Sequence, residues 1–337
     1  QQVLAARPDD VQLALIYADA LAAAHEYDQA IAELESWAER FPEEETFRWR
    51  LAEAYRIRGQ WSPWLNIVIK ALATKPADDA SIEQALGRLT REQSEQIVEH
   101  AVTATDLRDE PSMSAALDYV LGSLCDRLDL VDQSRAFFER ARQARSDYLP
   151  AVLGEARLLI NRCRWAEAIA TLKTAEKTLG QPDHRLHLLL GQSHEGLDQV
   201  ESAVAGYEKA IQLNPLDTRP MFLLGRLCER VGLIFKARQY YQATITIEPD
   251  HLPAREALAQ SYMNQLQQFL RPEERNEIQK RLLGEIKELE VRGAQSPPTQ
   301  RITALFRYLF LPADEDDRRG PYLESLTRLA YDFPDDQ

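Results

Sequence analysis

Large apolar residues recur every three or four positions in short bursts along this chain, and each burst is broken by polar residues. Tyr17-Ala18 with Leu21, Leu51-Ala52 with Tyr55, Leu121-Gly122 with Cys125 and Glu155-Ala156 with Leu159 share one form. So do Leu190-Gly191 with His194, Leu224-Gly225 with Cys228 and Leu258-Ala259 with Tyr262. This spacing predicts amphipathic helices, and the small residue lets a second helix approach closely. A turn follows, with Gly59 and Gly232 as its markers. A second helix is then predicted from Ala30 and Leu34, Ala168 and Leu172, Ala203 and Tyr207, and Ala237 and Tyr241. Proline closes several of these, because it lacks an N–H and restricts the residue before it.

The pattern has a period. Pro8, Pro42 and Pro76 are spaced by 34 residues, as are Pro215 and Pro249, Ser134 and Ala168, and Ala203 and Ala237. The chain resembles the tetratricopeptide repeat (TPR) family, whose units are antiparallel helix pairs of 34 residues with small residues at the eighth and twentieth positions and proline near the end. Six units match, starting at Val11, Glu45, Ala115, Leu149, His184 and Thr218, and a seventh from Leu252 matches in its first helix. The resemblance implies an all-α, right-handed superhelical solenoid of antiparallel helix pairs. One pair cannot bury its apolar face alone, so stacked pairs share a core.

Three departures suggest a domain division. Residues 79–114 fit poorly: "ASIEQALGRL" reads as a short helix, and Thr90 with Gln93 as the capping box of another. "DLRDEP" (106–111) reads as a break, and one extra residue sits near Gly180. Beyond Leu270, Pro272 starts a charged helix suited to capping an array, "AQSPPTQ" reads as a linker, and "ITALFRYLFL" and "YLESLTRLAYDF" read as one more helix pair around the acidic loop Asp314–Asp317, toward Pro334. The expected division is 1–106, 107–270 and 271–337. The start at Gln1 within a repeat, and the repeat-like end, suggest a piece of a longer protein.

Charge narrows the partners. A net charge of -14 argues against nucleic-acid or anionic-membrane binding. No apolar run reaches the ~20 residues of a membrane span, no signal peptide is visible, and a cytoplasmic location is favoured. Cys125, Cys163 and Cys228 form no disulfide framework and read as core thiols. Thirty-two arginines against eight lysines fit a GC-rich bacterial genome.

The chain shows no phosphate loop, zinc-protease or nucleophile-elbow motif. Neither catalysis, nor a cofactor, nor a metal is expected of this segment. His184 and His187 could share a helix face, but His187 and His194 fall at packing positions. Trp49, Trp61, Trp64 and Trp165 also fall near packing positions, with Trp61 and Trp165 as wedges after the turn.

In the TPR family, certain first-helix positions line a concave ligand groove. Carried onto this chain, the resemblance nominates Arg157 and Asn161, then Arg185 and Gln192, then Arg219, Phe222, Arg226 and Arg230 as peptide-binding residues. Arginine suits carboxylates because its planar fork donates two parallel hydrogen bonds. The expected function is a protein-interaction scaffold that binds a partner peptide or domain in this groove, with an acidic peptide as the candidate ligand. Two alternatives stand beside it: a regulatory or substrate-selecting segment of a larger enzyme or sensor, and a self-assembly module. The positions used by the chaperone-tail clamps of this family do not match here.

Overall fold

The computed structural model describes residues 10–74, 79–103, 110–268, 270–292 and 296–310. Pro8, Pro76, most of the 106–111 break, and the Asp314–Asp317 loop with the second helix of the final pair lie outside the described residues, while the first helix of that pair, expected over "ITALFRYLFL", is described through Phe310. Among the described residues there are seventeen helices and no strand. The chain divides into two compact units, Gln1–Pro182 and Asp183–Gln337.

The first unit contains α1 (Val11–Ala23), α2 (Tyr27–Arg40), α3 (Glu45–Arg58), α4 (Trp61–Thr74), α5 (Asp79–Gly87), α6 (Arg91–Thr103), α7 (Pro111–Arg127), α8 (Val131–Ala144), α9 (Leu149–Asn161) and α10 (Trp165–Leu179). The second contains α11 (His184–Gly196), α12 (Val200–Leu213), α13 (Thr218–Arg230), α14 (Ile234–Ile247), α15 (Leu252–Leu266), α16 (Pro272–Val291) and α17 (Pro297–Phe310). Most consecutive helices pack as hairpins, such as α1 with α2, α7 with α8 and α11 with α12, and within each unit hairpins pack on their neighbours, as α8 does on α9 and α12 on α13.

The predicted punctuation operates locally. Helices α2, α12 and α14 end at Arg40, Leu213 and Ile247, two residues before Pro42, Pro215 and Pro249. Thr90 and Gln93 form the reciprocal capping box: each backbone N–H donates to the other's side-chain oxygen at 3.1 Å. Where the sequence suggested a linker at "AQSPPTQ", the chain already turns into α17 at Pro297. The Ser296 hydroxyl accepts from the Thr299 N–H at 3.2 Å, and proline suits a first helical turn because the N–H it lacks would be unpaired there anyway.

The small positions are where the helices touch. A Cβ at Gly122 would meet the Phe138 ring at 2.7 Å, one at Gly191 the Tyr207 ring at 2.6 Å, and one at Gly225 the Tyr241 ring at 2.7 Å. Ala30, Ala168, Ala203 and Ala237, the small positions of the second helices, are buried. The first unit's core gathers Phe47, Trp64, Leu65, Ile97, Leu117 and Tyr148, and the second's gathers Tyr207, Leu224, Tyr241, Leu258 and Leu282. Trp61 is half-buried, edge-on to Trp64 at 6.5 Å, and its indole N–H donates to Gln96 on α6 at 3.2 Å. The charged helix α16 buries Ile278, Leu282, Ile286 and Leu289, and Glu285 on it pairs with the buried Arg255 of α15 at 3.0 Å.

Cys125 and Cys228 are buried, and burial pushes the Cys125 thiol up to about 11. Cys163 is exposed, contrary to the expectation of a core thiol. It occupies the turn between α9 and α10 at φ 56°, outside the helical phase that would have carried it inward.

Candidate functional site

The nominated residues fall into two separate groups. In the first unit, Arg157 lies on α9, and its guanidinium pairs with Glu83 of α5. It helps line a cavity of about 280 Å³ with Glu83, Tyr119, Ser123 and Asp126. Asn161, at the end of the same helix, is exposed. Burial raises the Asp126 pKa, and the neighbouring Arg162 charge opposes that shift.

In the second unit, two of the nominated arginines fold back on their own helix caps. Asp183 caps α11: its Oδ1 accepts from the Arg185 backbone N–H at 2.8 Å, and its two oxygens accept from Arg185 Nε and Nη2 at 3.1 and 3.0 Å. Asp217 caps α13 in the same way, accepting from the Arg219 N–H at 3.1 Å and from its guanidinium at 2.9 and 2.8 Å. Each aspartate therefore satisfies an unpaired helix-end donor and holds a forked guanidinium. The motif, Asp two residues before Arg at a helix start, stands in the sequence at 183–185 and 217–219 and could have been found there. His184 Nε2 is 3.7 Å from Asp217 Oδ2 and 3.4 Å from Asn214 Nδ2, so it lies between successive hairpins.

Further along α13, Phe222 is half-buried, with ring centroids 6.0 Å from Tyr241 and 4.9 Å from His251. Arg226 is exposed and makes no ion pair among the described residues. Arg230 lies 3.8 Å from a Glu195 oxygen and 3.6 Å from one of Asp198. Gln192 on α11 is half-buried, one turn before Glu195. Glu195 accepts the Tyr207 hydroxyl at 2.5 Å, and Glu229 accepts that of Tyr241 at 2.7 Å. Burial raises both phenol pKa values, and the adjacent carboxylates raise them further. These Glu–Tyr pairs link the two helices of a hairpin at one register, a feature missed by a reading that looked only for small and apolar positions.

The arrangement grades the arginines by availability. The Asp183–Arg185 and Asp217–Arg219 clamps complete helix ends, so releasing them also uncaps a helix. The pairs of Arg157 and Arg230 are partly exposed, and such pairs contribute only about 0–1 kcal/mol, little enough for an incoming carboxylate to exchange with. Arg226 needs no exchange. Among the described residues no group of three His, Cys, Asp or Glu side chains is placed to hold a metal ion. No described helix is long and apolar enough to cross a membrane.

Stacked two-helix units with small residues at each contact and a shared core define a helical-repeat protein. Models of the tetratricopeptide repeat match at residues 131–193 and at 1–45 and 188–251. The chain is a tetratricopeptide repeat protein, and such repeats generally serve as protein-interaction scaffolds. Among solved structures it is similar to that of the APC/C hetero-tetramer Cut9–Hcn1 (15% identity, 91% of this chain and 56% of that one, TM-score 0.53). It is also similar to PilF of Pseudomonas aeruginosa (14% identity, 66% of this chain and 94% of that one, TM-score 0.54). YrrB, described as a TPR protein with an unusual peptide-binding site, aligns at 18% identity over 60% of this chain and 95% of its own, with a TM-score of 0.41. No curated protein matches the chain.

Proposed function

We propose that this protein is a non-catalytic scaffold that holds an acidic peptide segment of a partner against the first helices of its repeats. In the second unit the contact is centred on Arg226, with Arg230 and Gln192 beside it. In the first unit, Arg157 and Asn161 offer a separate contact. The observation that carries this reading is Arg226: an exposed guanidinium with no ion pair among the described residues, in a chain whose other nominated arginines, Arg157, Arg185, Arg219 and Arg230, each already have a carboxylate. The chain's negative charge opposes such a ligand, but that field is screened over roughly 8 Å at physiological salt. A charge-assisted hydrogen bond contributes about 1.5–3 kcal/mol at contact.

Fluorescence anisotropy with labelled hexaglutamate tests this. Saturable binding is expected, and Arg226→Glu should weaken it roughly tenfold or more, the equivalent of losing one such bond. Absence of saturable binding, or equal affinity for wild type and Arg226→Glu, would contradict the reading.

A further inference from the structure

The first unit contains a larger cavity, of about 460 Å³, formed by α2, α3, α4 and α5 and lined by Trp49, Leu51, Ile67, Ala71 and Ile82. Its volume lies in the range of roughly 300–1,000 Å³ typical of sites that enclose a small organic group. Trp49 and Ile67 are only half-buried, so apolar surface remains open to solvent inside it. The chain also brings two cations to the cavity. Lys70 is exposed and makes no ion pair among the described residues. Arg48 is also exposed and donates to the Pro42 carbonyl, which leaves most of its fork unused. The one carboxylate among the described lining residues, Glu45, is already engaged within the chain.

We propose that this cavity is an anchor site for one aromatic side chain of a partner peptide, with an acidic residue of that peptide on Lys70. The inference rests on the peptide-binding reading above but uses none of its residues. Aromatic anchors in desolvated pockets dominate peptide and protein interfaces, and a ring entering here would meet the Trp49 indole. The positive cavity edge selects what flanks the ring. An acidic neighbour gains Lys70 as a partner, while a basic one would meet two like charges. The volume and the open tryptophan face select an aromatic ring over a small aliphatic group, which would leave much of the cavity empty.

The test uses the full chain, ¹⁵N-labelled on tryptophan indoles, with the Trp49 signal assigned through Trp49→Phe. The probes are acetyl-Glu-Glu-Phe-Glu-Glu-amide, the same peptide with Ala for Phe, and the same peptide with Lys for every Glu. The phenylalanine peptide should shift the Trp49 indole saturably, and each altered peptide should bind at least fivefold more weakly. Lys70→Glu, a surface change, should reverse the preference between the Glu and Lys peptides. Ala71→Phe should fill the cavity and abolish the shift. If that variant does not fold, Lys70→Glu still decides the question. A Trp49 signal that does not move, indifference to Phe or Ala, or a charge preference unchanged in Lys70→Glu would overturn the proposal. Arg226→Glu should leave this titration as it is. Failure here alongside Arg226-dependent hexaglutamate binding would overturn the anchor alone.

Discussion

At six hairpin turns one residue adopts positive φ: His25 at 61°, Gly59 at 67°, Asp129 at 65°, Cys163 and Asp198 at 56°, and Gly232 at 81°. At each, the next residue's N–H reaches back five residues to close the helix, as Leu130 does to Cys125 and Leu233 to Cys228, both at 2.8 Å. Only glycine adopts this conformation without steric cost, and for other residues the cost is roughly 1–2 kcal/mol. The two glycine turns could be read from the sequence, and the four others could not, because the tertiary fold overrides the local preference of His, Asp and Cys. Cys163→Gly should therefore stabilise the protein by about 0.5–1 kcal/mol, the steric relief less the added freedom of the unfolded chain. Gly232→Ala should cost about 1 kcal/mol. Paired urea melts check both, and a destabilised Cys163→Gly would contradict the account.

The Asp217 clamp predicts a pH dependence. Burial disfavours its carboxylate, and the hydrogen bonds and charge of Arg219 more than offset that, so the carboxyl is held below the usual range. A carboxyl with a depressed folded pKa stabilises the protein above its unfolded pKa and loses that contribution as pH falls through the folded value. The stability gap between wild type and Asp217→Asn should thus be full near neutrality and shrink below about pH 4. Urea midpoints at pH 7 and pH 3 measure it, and a gap that widens in acid would contradict the clamp. Helix position alone presents Arg185 and Arg219 as ligand donors, but the aspartate two residues before each competes for the same guanidinium.

At the scale of helices, backbone contact decides the tolerance to change. A Cβ on Gly206 of α12 would lie 2.8 Å from the Gly191 backbone of α11, where no side chain can move aside. Gly206→Ala should cost about 1–3 kcal/mol, in line with overpacking a close interface. Gly284→Ala on α16, where a Cβ meets nothing within 4 Å, should be stabilising or neutral. Thermal melts of the two variants distinguish a packing role from helix propensity alone. The helix pairs were legible because their small residues recur at fixed register. The body of α17 was legible in "ITALFRYLFL" but its start was not, because Ser296 and the proline pair after it carry turn chemistry that serves equally as a helix start.

At the scale of the molecule, the repeat period identifies the architecture long before any site is visible, since stacking imposes one register on every unit. The ligand does not follow from that architecture. It depends on which charges the chain leaves unspent, and ion pairing such as Arg157 with Glu83, 74 positions apart, is invisible to helix spacing. The most direct measurement is affinity capture from source-cell lysate, comparing wild type with an Arg157→Glu, Arg226→Glu double variant whose fold is confirmed by circular dichroism. Arg185 and Arg219 stay intact so that the helix caps are preserved. The account predicts a partner with an acidic segment that is retained by wild type and lost by the variant. Capture of the same partners, in the same amounts, by both proteins would contradict it.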